Sequence, residues 1–254
     1  MKGIKMKSIT LTLLVSTFIV LGSKIIFSTQ DFPPFSYLEN DKVSGPATEV
    51  IEAVCKKAGF ESEVLIYPWR RANMLVRTGD IDGLYLLGKT EDRDSWLYFS
   101  HPILKTEYGL FLNKENHFDY SSKEDLIGKN LKVGVYGPSN TSSKLDDLQD
   151  VVKDMTIEMT PDDLSGFRKL EIGRVDAVYS NKIVGDEIIK NEKLKNVQYA
   201  GKDCDVVYYF AISKKKISQA DFNKLNNAYK SLYNEGIIDK ILAKKGIKAY
   251  KLDE

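Results

Sequence analysis

The chain has 254 residues with 37 basic and 36 acidic side chains, which gives a net charge of +1 with histidine neutral. A balance this even lacks the positive excess of a nucleic-acid-binding protein, so no nucleic acid is expected as a partner. Two histidines and two cysteines, with none at metal-ligand spacing, predict no metal and no other cofactor.

The first 23 residues have the pattern of an export signal. Lys2, Lys5 and Lys7 precede an apolar run over 9–22, and Ser23 is a small residue at a plausible cleavage point. We therefore expect residues 1–23 to be a signal peptide and the mature protein to lie in the periplasm; an uncleaved anchor is the alternative. Removal of the three lysines leaves 34 basic against 36 acidic residues, a net charge of −2.

Strand-like and helix-like segments alternate through the rest of the chain. Predicted strands cover 24–28, 63–67, 81–87, 108–112, 131–136, 176–180 and 206–212. Helices are predicted after Pro46 and Pro68, over 162–173, and in the tail from Ser218 onward. This alternation indicates an α/β protein with mostly parallel sheet. Cys55 is expected to be a buried apolar residue, although an exported protein could pair it with Cys204.

The common catalytic motifs are absent from the sequence. It contains no Gly-x-Ser-x-Gly elbow, no phosphate-binding P-loop and no Gly-x-Gly-x-x-Gly after a strand. The paired acids near 146 and 162 fit helix starts and polar faces. The sequence therefore predicts a protein that is not an enzyme.

Seven short motifs carry a family resemblance. They are DFPPF at 31–35, YPWRRA at 67–72, GDIDG at 79–83, KTEDR at 89–93, DLIGK at 125–129, GRVDA at 173–177 and LYNEG at 232–236. Each is weak alone, but in this order they resemble family 3 of the bacterial periplasmic solute-binding proteins, the polar amino-acid-binding type, from about Ile25 to Gly246. The resemblance implies a two-lobed type II periplasmic-binding-protein fold, with two crossing strands as the hinge. Lobe 1 would comprise 24–106 plus 211–254, and lobe 2 would comprise 107–210.

The resemblance also implies which first-lobe residues bind the ligand. Arg93 would grip the ligand's carboxylate, a role that suits a guanidinium because its fork matches a carboxylate bidentately. Gly88 would present its backbone N–H to the same group, and Trp69 and Phe32 would pack on the rest of the ligand. The alternatives are a salt bridge from Arg93 to a neighbouring acid, and core roles for the two aromatic residues.

Other candidates lie on the second lobe and on the Trp69 helix. Tyr136 and the following turn, with Ser139 at its centre, are expected to face the cleft and to favour an anionic ligand. Arg70 is a candidate for a second anion contact. Asn181 stands where the family has an aspartate for the ligand's α-ammonium, and Gln30 stands near another position that is often acidic. These neutral amides predict a carboxylate-bearing metabolite or an amino-acid derivative, rather than a standard α-amino acid.

We therefore expect a monomeric binding protein that closes by a hinge on a small carboxylate and passes it to a membrane permease. Two other readings stay open at this stage. One is an enzyme on the same scaffold, dehydratase-like, for which Glu49 is the nearest acid candidate. The other is a ligand-sensing module for a membrane sensor protein.

Overall fold

The computed structural model describes residues 23–116 and 118–252, and the predicted signal peptide, except its last residue, lies outside the described residues. The strands are β1 Lys24–Thr29, β2 Tyr37–Glu39, β3 Lys42–Ser44, β4 Glu61–Ile66, β5 Gly83–Leu87, β6 Leu97–Phe99, β7 Leu104–Asn113, β8 Lys132–Tyr136, β9 Thr156–Thr160, β10 Ala177–Asn181 and β11 Val197–Ser213. The helices are α1 Pro46–Ala58, α2 Trp69–Thr78, α3 Glu91–Trp96, α4 Asn140–Gln149, α5 Asp163–Glu171, α6 Lys182–Glu192, α7 Gln219–Asn234 and α8 Ile237–Ala243. None of the described helices is long and apolar enough to cross a membrane.

The α1 and α2 helices begin and end where the sequence predicts. Pro46 occupies the start of α1, where its missing N–H costs no helical hydrogen bond. Gly59 and Gly79 end α1 and α2 in the left-handed region, with φ of 83° and 95°, which glycine adopts without steric cost. The apolar face of α1 is buried, as its spacing predicts.

The main sheet runs in the order β4-β1-β5-β11-β7-β10-β8-β9, and β6 pairs with β11. Pairing is parallel between β1 and β4, β1 and β5, β8 and β9, and β8 and β10, whereas β11 pairs antiparallel with β5, β6 and β7. Each half of the sheet is therefore a parallel unit bordered by an antiparallel crossing strand. The predicted α/β architecture with two lobes is confirmed.

The two lobes are joined by the long strands β7 and β11. The first lobe contains β1–β6, α1–α3, α7 and α8, and the second contains β8–β10 and α4–α6. One end of β11 pairs with β7 and its other end pairs with β5 and β6, so a single strand continues from lobe to lobe. The residue boundaries predicted for the lobes stay a prediction.

Several elements were not predicted from the sequence. These are the β2–β3 hairpin, α3, β6, β9 and α6, and the strand predicted over 206–212 is the last part of a 17-residue strand. Both cysteines are free, and Cys55 is buried, in agreement with its predicted apolar role.

Candidate binding cleft

A cleft lies between the lobes, at the ends of strands from both of them. Its lining, called the binding cleft below, consists of Gln30, Phe32, Trp69, Leu86, Leu87, Gly88, Arg93, Tyr108, Ser139, Asn140, Thr141 and Tyr208. Six of the nine predicted ligand-binding residues are brought together here: Gln30, Phe32, Trp69, Gly88, Arg93 and Ser139. Among the described residues, this lining contains one cationic side chain and no carboxylate.

Arg93 is held in the cleft by its own turn and by an aromatic neighbour. Its backbone N–H donates to the Thr90 hydroxyl at the start of α3 (3.3 Å), and its Nη1 donates to the Gly88 carbonyl (2.8 Å). The guanidinium carbon lies 5.3 Å from the centre of the Trp69 ring, a cation–π geometry. Burial lowers the pKa of Arg93, but a guanidinium remains charged at neutral pH.

Among the residues that the structure describes, no acid forms an ion pair with this guanidinium. Within the described part of the chain, no carboxylate oxygen lies within 4.0 Å of Arg93, and the neighbouring Asp94 pairs instead with Lys89 (3.0 Å). The alternative of a local salt bridge is therefore not what the structure contains. A partly buried cation that has no ion-pair partner among these residues and has N–H donors facing the cleft favours binding of an anion.

The second lobe closes against Gly88 through the start of α4. A Cβ atom on Gly88 would lie 3.2 Å from Asn140 Nδ2, so only glycine allows this approach without a shift. The same amide donates to the Tyr108 hydroxyl (3.2 Å), while the Ser139 hydroxyl caps α4 by accepting from Ser142 N–H (3.2 Å). The remaining cavity, about 20 Å³, has room for about one water molecule, so the lobes lie too close together in this structure to hold a larger solute in it.

Two tyrosine hydroxyls form the floor of the cleft, one from each joining strand. Tyr108 and Tyr208 lie with their oxygens 3.1 Å apart. Burial raises the pKa of both hydroxyls, so they are neutral hydrogen-bonding groups at neutral pH. Sequence reasoning missed both residues as cleft residues, although each lies in a predicted strand, over 108–112 and 206–212.

Asn181 is not part of the lining. It is 1% exposed, and its Oδ1 accepts from Ile183 N–H (3.0 Å), Val184 N–H (3.4 Å) and the Thr106 hydroxyl (3.3 Å). Its Nδ2 donates to the Tyr208 hydroxyl (3.3 Å). The side chain therefore caps α6 and supports the cleft floor from behind, because its hydrogen-bonding capacity is used within the protein.

Arg70 and Tyr136 also lie outside the lining. Arg70 is exposed on α2, one residue beyond the Trp69 indole that does enter the cleft. Tyr136 stands at the cleft's edge, where its hydroxyl accepts from Trp69 N–H (3.4 Å) across the two lobes. The structure thus gives Tyr136 a contact between lobes and gives Arg70 none in the cleft.

Next to the cleft, three carboxylates line a shared strip between the lobes. Asp31 of the first lobe and Asp162 and Asp163 of the second line two adjoining spaces, and we call these residues the acidic seam. Burial, reinforced by the charge of Asp162, raises the pKa of Asp163 to about 6, while the Ser180 hydroxyl donates to it (2.6 Å) and lowers that pKa. The pKa of Asp31 is also raised, by burial and by Asp162.

Two lobes joined by crossing strands, with a guanidinium between them, define the class of two-lobed solute-binding proteins. The model of the bacterial extracellular solute-binding proteins, family 3, matches residues 25–246, and the chain belongs to this family. The resemblance seen in the seven motifs is confirmed.

Individual relatives agree with this assignment. A probable histidine-binding protein of Neisseria gonorrhoeae is 27% identical over 226 residues, which cover 86% of this chain and 81% of the relative. The probable amino-acid-binding protein YxeM of Bacillus subtilis is 27% identical, over 83% of this chain and 79% of that protein. An ancestral arginine-binding protein bound to arginine superposes with a TM-score of 0.78 at 25% identity, covering 89% of this chain and 99% of that one. The chain is therefore similar over most of its length to solute-binding proteins of this family.

Proposed function

We propose that this protein captures a small, amino-acid-like carboxylate outside the cytoplasm and delivers it, chemically unchanged, to a membrane permease. The observation that carries the proposal is Arg93: a partly buried guanidinium, stacked on Trp69, with no carboxylate partner among the described residues. A carboxylate on the solute would neutralise it through paired N–H···O bonds.

Closure of the lobes supplies the rest of the binding. Phe32 and Trp69 offer aromatic walls for the solute's side chain, and Gly88 allows close approach to its backbone. Because Asn140 lies against Gly88, the closed form excludes bulk water from the guanidinium and strengthens the ion pair. The family's extracellular character supports export, for which residues 1–23 are the proposed signal.

The relatives support the solute class. Their names describe histidine-binding, cystine-binding and arginine-binding proteins, and none of these names describes an enzyme. The cleft lining also contains no carboxylic acid that could act as a general acid or base. Glu49 on α1 lies outside this lining and forms an ion pair with Lys244. We propose a monomer that binds no nucleic acid.

Thermal unfolding with a library of amino acids and related carboxylates tests the proposal. A solute present at 100 times its Kd stabilises the folded protein by about 2.7 kcal/mol, which a melting curve resolves. We expect Arg93→Ala to abolish this shift and Arg70→Ala, an exposed arginine on α2, to keep it. An undiminished shift in Arg93→Ala would remove the guanidinium from the site. Mass spectrometry of the recovered solute, expected to be unaltered, tests the absence of turnover.

A further inference from the structure

Carboxylates of both lobes meet at the acidic seam. Asp31 lies in the first lobe, two residues after β1, whereas Asp162 and Asp163 lie at the start of α5 in the second lobe. All three line both of the adjoining spaces, which measure about 280 and 290 Å³, and none of them lines the binding cleft. Movement of one lobe away from the other would therefore separate Asp31 from the two acids of α5.

The lining of the seam offers these carboxylates no cation. Within the described part of the chain, neither space is lined by a lysine, an arginine or a histidine. The other titratable side chains of the lining are Tyr67, Tyr136 and Glu192. Tyr67 has the guanidinium of Arg71 at 4.6 Å from its ring centre, and Glu192 pairs with Arg168 (2.7 Å). The seam is therefore a place where negative charges of two lobes come together without a balancing charge in the lining.

The closed arrangement favours the protonated form of these acids. Burial raises the pKa of Asp31, and the charge of Asp162 on the opposite lobe raises it further. Burial and the same charge raise the pKa of Asp163 to about 6, against the effect of the Ser180 hydroxyl, which donates to it (2.6 Å). When the lobes separate, water reaches the seam and Asp31 leaves Asp162, so both pKa values should return toward their ordinary range.

A pKa that is higher in the closed form makes closure depend on pH. The closed form then holds protons that the open form releases, so closure is favoured as the pH falls through about 6. Above this pH the ionised carboxylates repel one another across the lobes and favour opening. Asp31 and Asp162 are exposed, so salt screens their repulsion and the effect on closure is moderate.

We propose that the acidic seam makes closure of the lobes proton-dependent, so that acidification favours capture of a solute and neutral pH favours its release. The residues of the seam lie outside the lining that contains Arg93, so this device is independent of which solute the cleft binds. It goes beyond the proposed function because it adds a condition under which the protein closes.

Single-molecule FRET on the solute-free protein tests the proposal. Dyes on Met74→Cys of α2 and on Ile172→Cys after α5, both more than half exposed, report the separation of the lobes. Cys55→Ala and Cys204→Ala remove the two native thiols. The ratio of closed to open molecules should rise about threefold or more between pH 7.5 and pH 5.0. At pH 7.5 added sodium chloride should raise the ratio too, because it screens the repulsion.

Charge substitutions in the seam sharpen the test. Asp31→Asn and Asp162→Asn should each raise the closed-to-open ratio at pH 7.5 and reduce its pH dependence by about half or more. Asparagine caps a helix as well as aspartate does, so Asp162→Asn keeps the start of α5. Asp31→Lys should reverse the sign: its ammonium attracts the acids of α5 at pH 7.5, and acidification removes that attraction and opens the lobes.

Two control variants separate the seam from other titrating groups. Asp41→Asn removes an exposed acid of the first lobe at a φ of 60°, which asparagine also tolerates, and should behave like the wild type. His101, whose ring stacks on Tyr229 within the first lobe, belongs to the residue type that ordinarily titrates in this pH window. His101→Asn should therefore keep the pH dependence of the wild type.

Several outcomes would overturn the proposal. They are equal closed-to-open ratios at the two pH values, opening on acidification, an unchanged pH dependence in both asparagine variants of the seam, or its loss in Asp41→Asn or His101→Asn. Since the measurement uses no solute, the proposed function fails or stands separately. Arg93→Ala should lose the solute-induced melting shift and keep the pH response of the lobes.

Discussion

Arg93 and Asn181 were both predicted to contact the solute, but the structure places Arg93 in the cleft lining and Asn181 outside it. Among the described residues, the Arg93 side chain donates one hydrogen bond, to the Gly88 carbonyl, and it faces the cleft with its other N–H groups. Asn181 lies outside the cleft lining, where its Oδ1 accepts three hydrogen bonds and its Nδ2 donates one to the Tyr208 hydroxyl. A guanidinium has five N–H donors, so one hydrogen bond within the protein leaves most of them for a solute. The groups of a side-chain amide are fewer, and bonds within the protein can use them.

The difference gives a physical criterion for separating the two kinds of polar residue. A residue that binds the solute keeps hydrogen-bonding capacity in the closed form, and a residue that supports the fold does not. By this criterion Arg93 belongs to the first kind, and Asn181 belongs to the second. Substitutions should then separate along the same line: loss of solute binding for the first kind and loss of stability for the second.

The largest effect on stability is expected from Asn181→Ala. The change removes the α6 cap, which is worth about 1 kcal/mol. It also takes the Asn181 acceptor from the buried Thr106 hydroxyl and leaves the Tyr208 hydroxyl with Tyr108 alone, at about 1 kcal/mol more. Chemical denaturation should therefore show the free energy of unfolding reduced by about 2 kcal/mol.

Asn181→Asp is the matched control. Its carboxylate can accept from the same α6 amides and suits the positive end of the helix dipole, although its charge is buried at a position that is 1% exposed, so the variant should be more stable than Asn181→Ala. If Asn181→Ala were as stable as the wild type but bound solute poorly, Asn181 would belong with Arg93, and the comparison would fail.

The same pair of residues explains what the sequence could predict. Phe32, Trp69 and Arg93 belong to three motifs that each follow a strand. They meet in one cleft because the carboxyl ends of parallel strands lie at the same edge of the sheet. The role of Asn181 depends on a helix that begins at the next residue, and that helix was not predicted. Gly185 lies in the middle of it, a residue that weakens any helical prediction. A Cβ there would lie 2.2 Å from the Phe111 ring, so tertiary packing explains the glycine.

The first part of the strand that carries Tyr208 could not be predicted for a related reason. Tyr208 belongs to a strand that begins at Val197 and passes through polar residues such as Lys202 and Asp205, which interrupt the alternation expected of a strand. The ladder with β7 holds this segment extended, with register shifts after Tyr199 and after Lys202. Long-range pairing therefore decided the conformation where local pattern was weak.

Asp163 of the acidic seam provides the second test, with an expected effect of about 1 kcal/mol. Burial raises its pKa from 3.8 to about 6, so between these pH values the folded protein binds a proton that the unfolded chain releases. Its contribution to stability therefore falls as the pH rises through this window and stays unfavourable above it. Asp163→Asn keeps an oxygen for the Ser180 hydroxyl and removes the charge, so at pH 7 the variant should be more stable than the wild type by about 1 kcal/mol.

The pH dependence separates this cause from a change in packing. Denaturation curves at pH 4, 5, 6 and 7 should show the two proteins converging toward pH 4, where Asp163 is protonated in the folded state. A constant difference at every pH would show that ionisation of Asp163 is not the cause. A less stable variant at pH 7 would show that the carboxylate has a favourable partner in the closed form.

The smallest effect is expected at Tyr136, which links the lobes at the edge of the binding cleft. The α2 helix begins after Pro68, which provides no side-chain acceptor, so the Tyr136 hydroxyl from the other lobe accepts the Trp69 N–H instead. Tyr136→Phe removes this acceptor. The loss destabilises only the closed form, because the Trp69 N–H can bond to water when the lobes are open. At 3.4 Å the bond is long, so we expect the closed form to lose about 0.5 kcal/mol and the solute affinity to fall about twofold.

Tyr233→Phe is the matched control, because that hydroxyl accepts Leu252 N–H (3.2 Å) within the first lobe and should leave the affinity unchanged. Calorimetry on both variants distinguishes a link between lobes from a direct contact: a loss for Tyr136→Phe as large as that for Arg93→Ala would mean that the hydroxyl touches the solute itself.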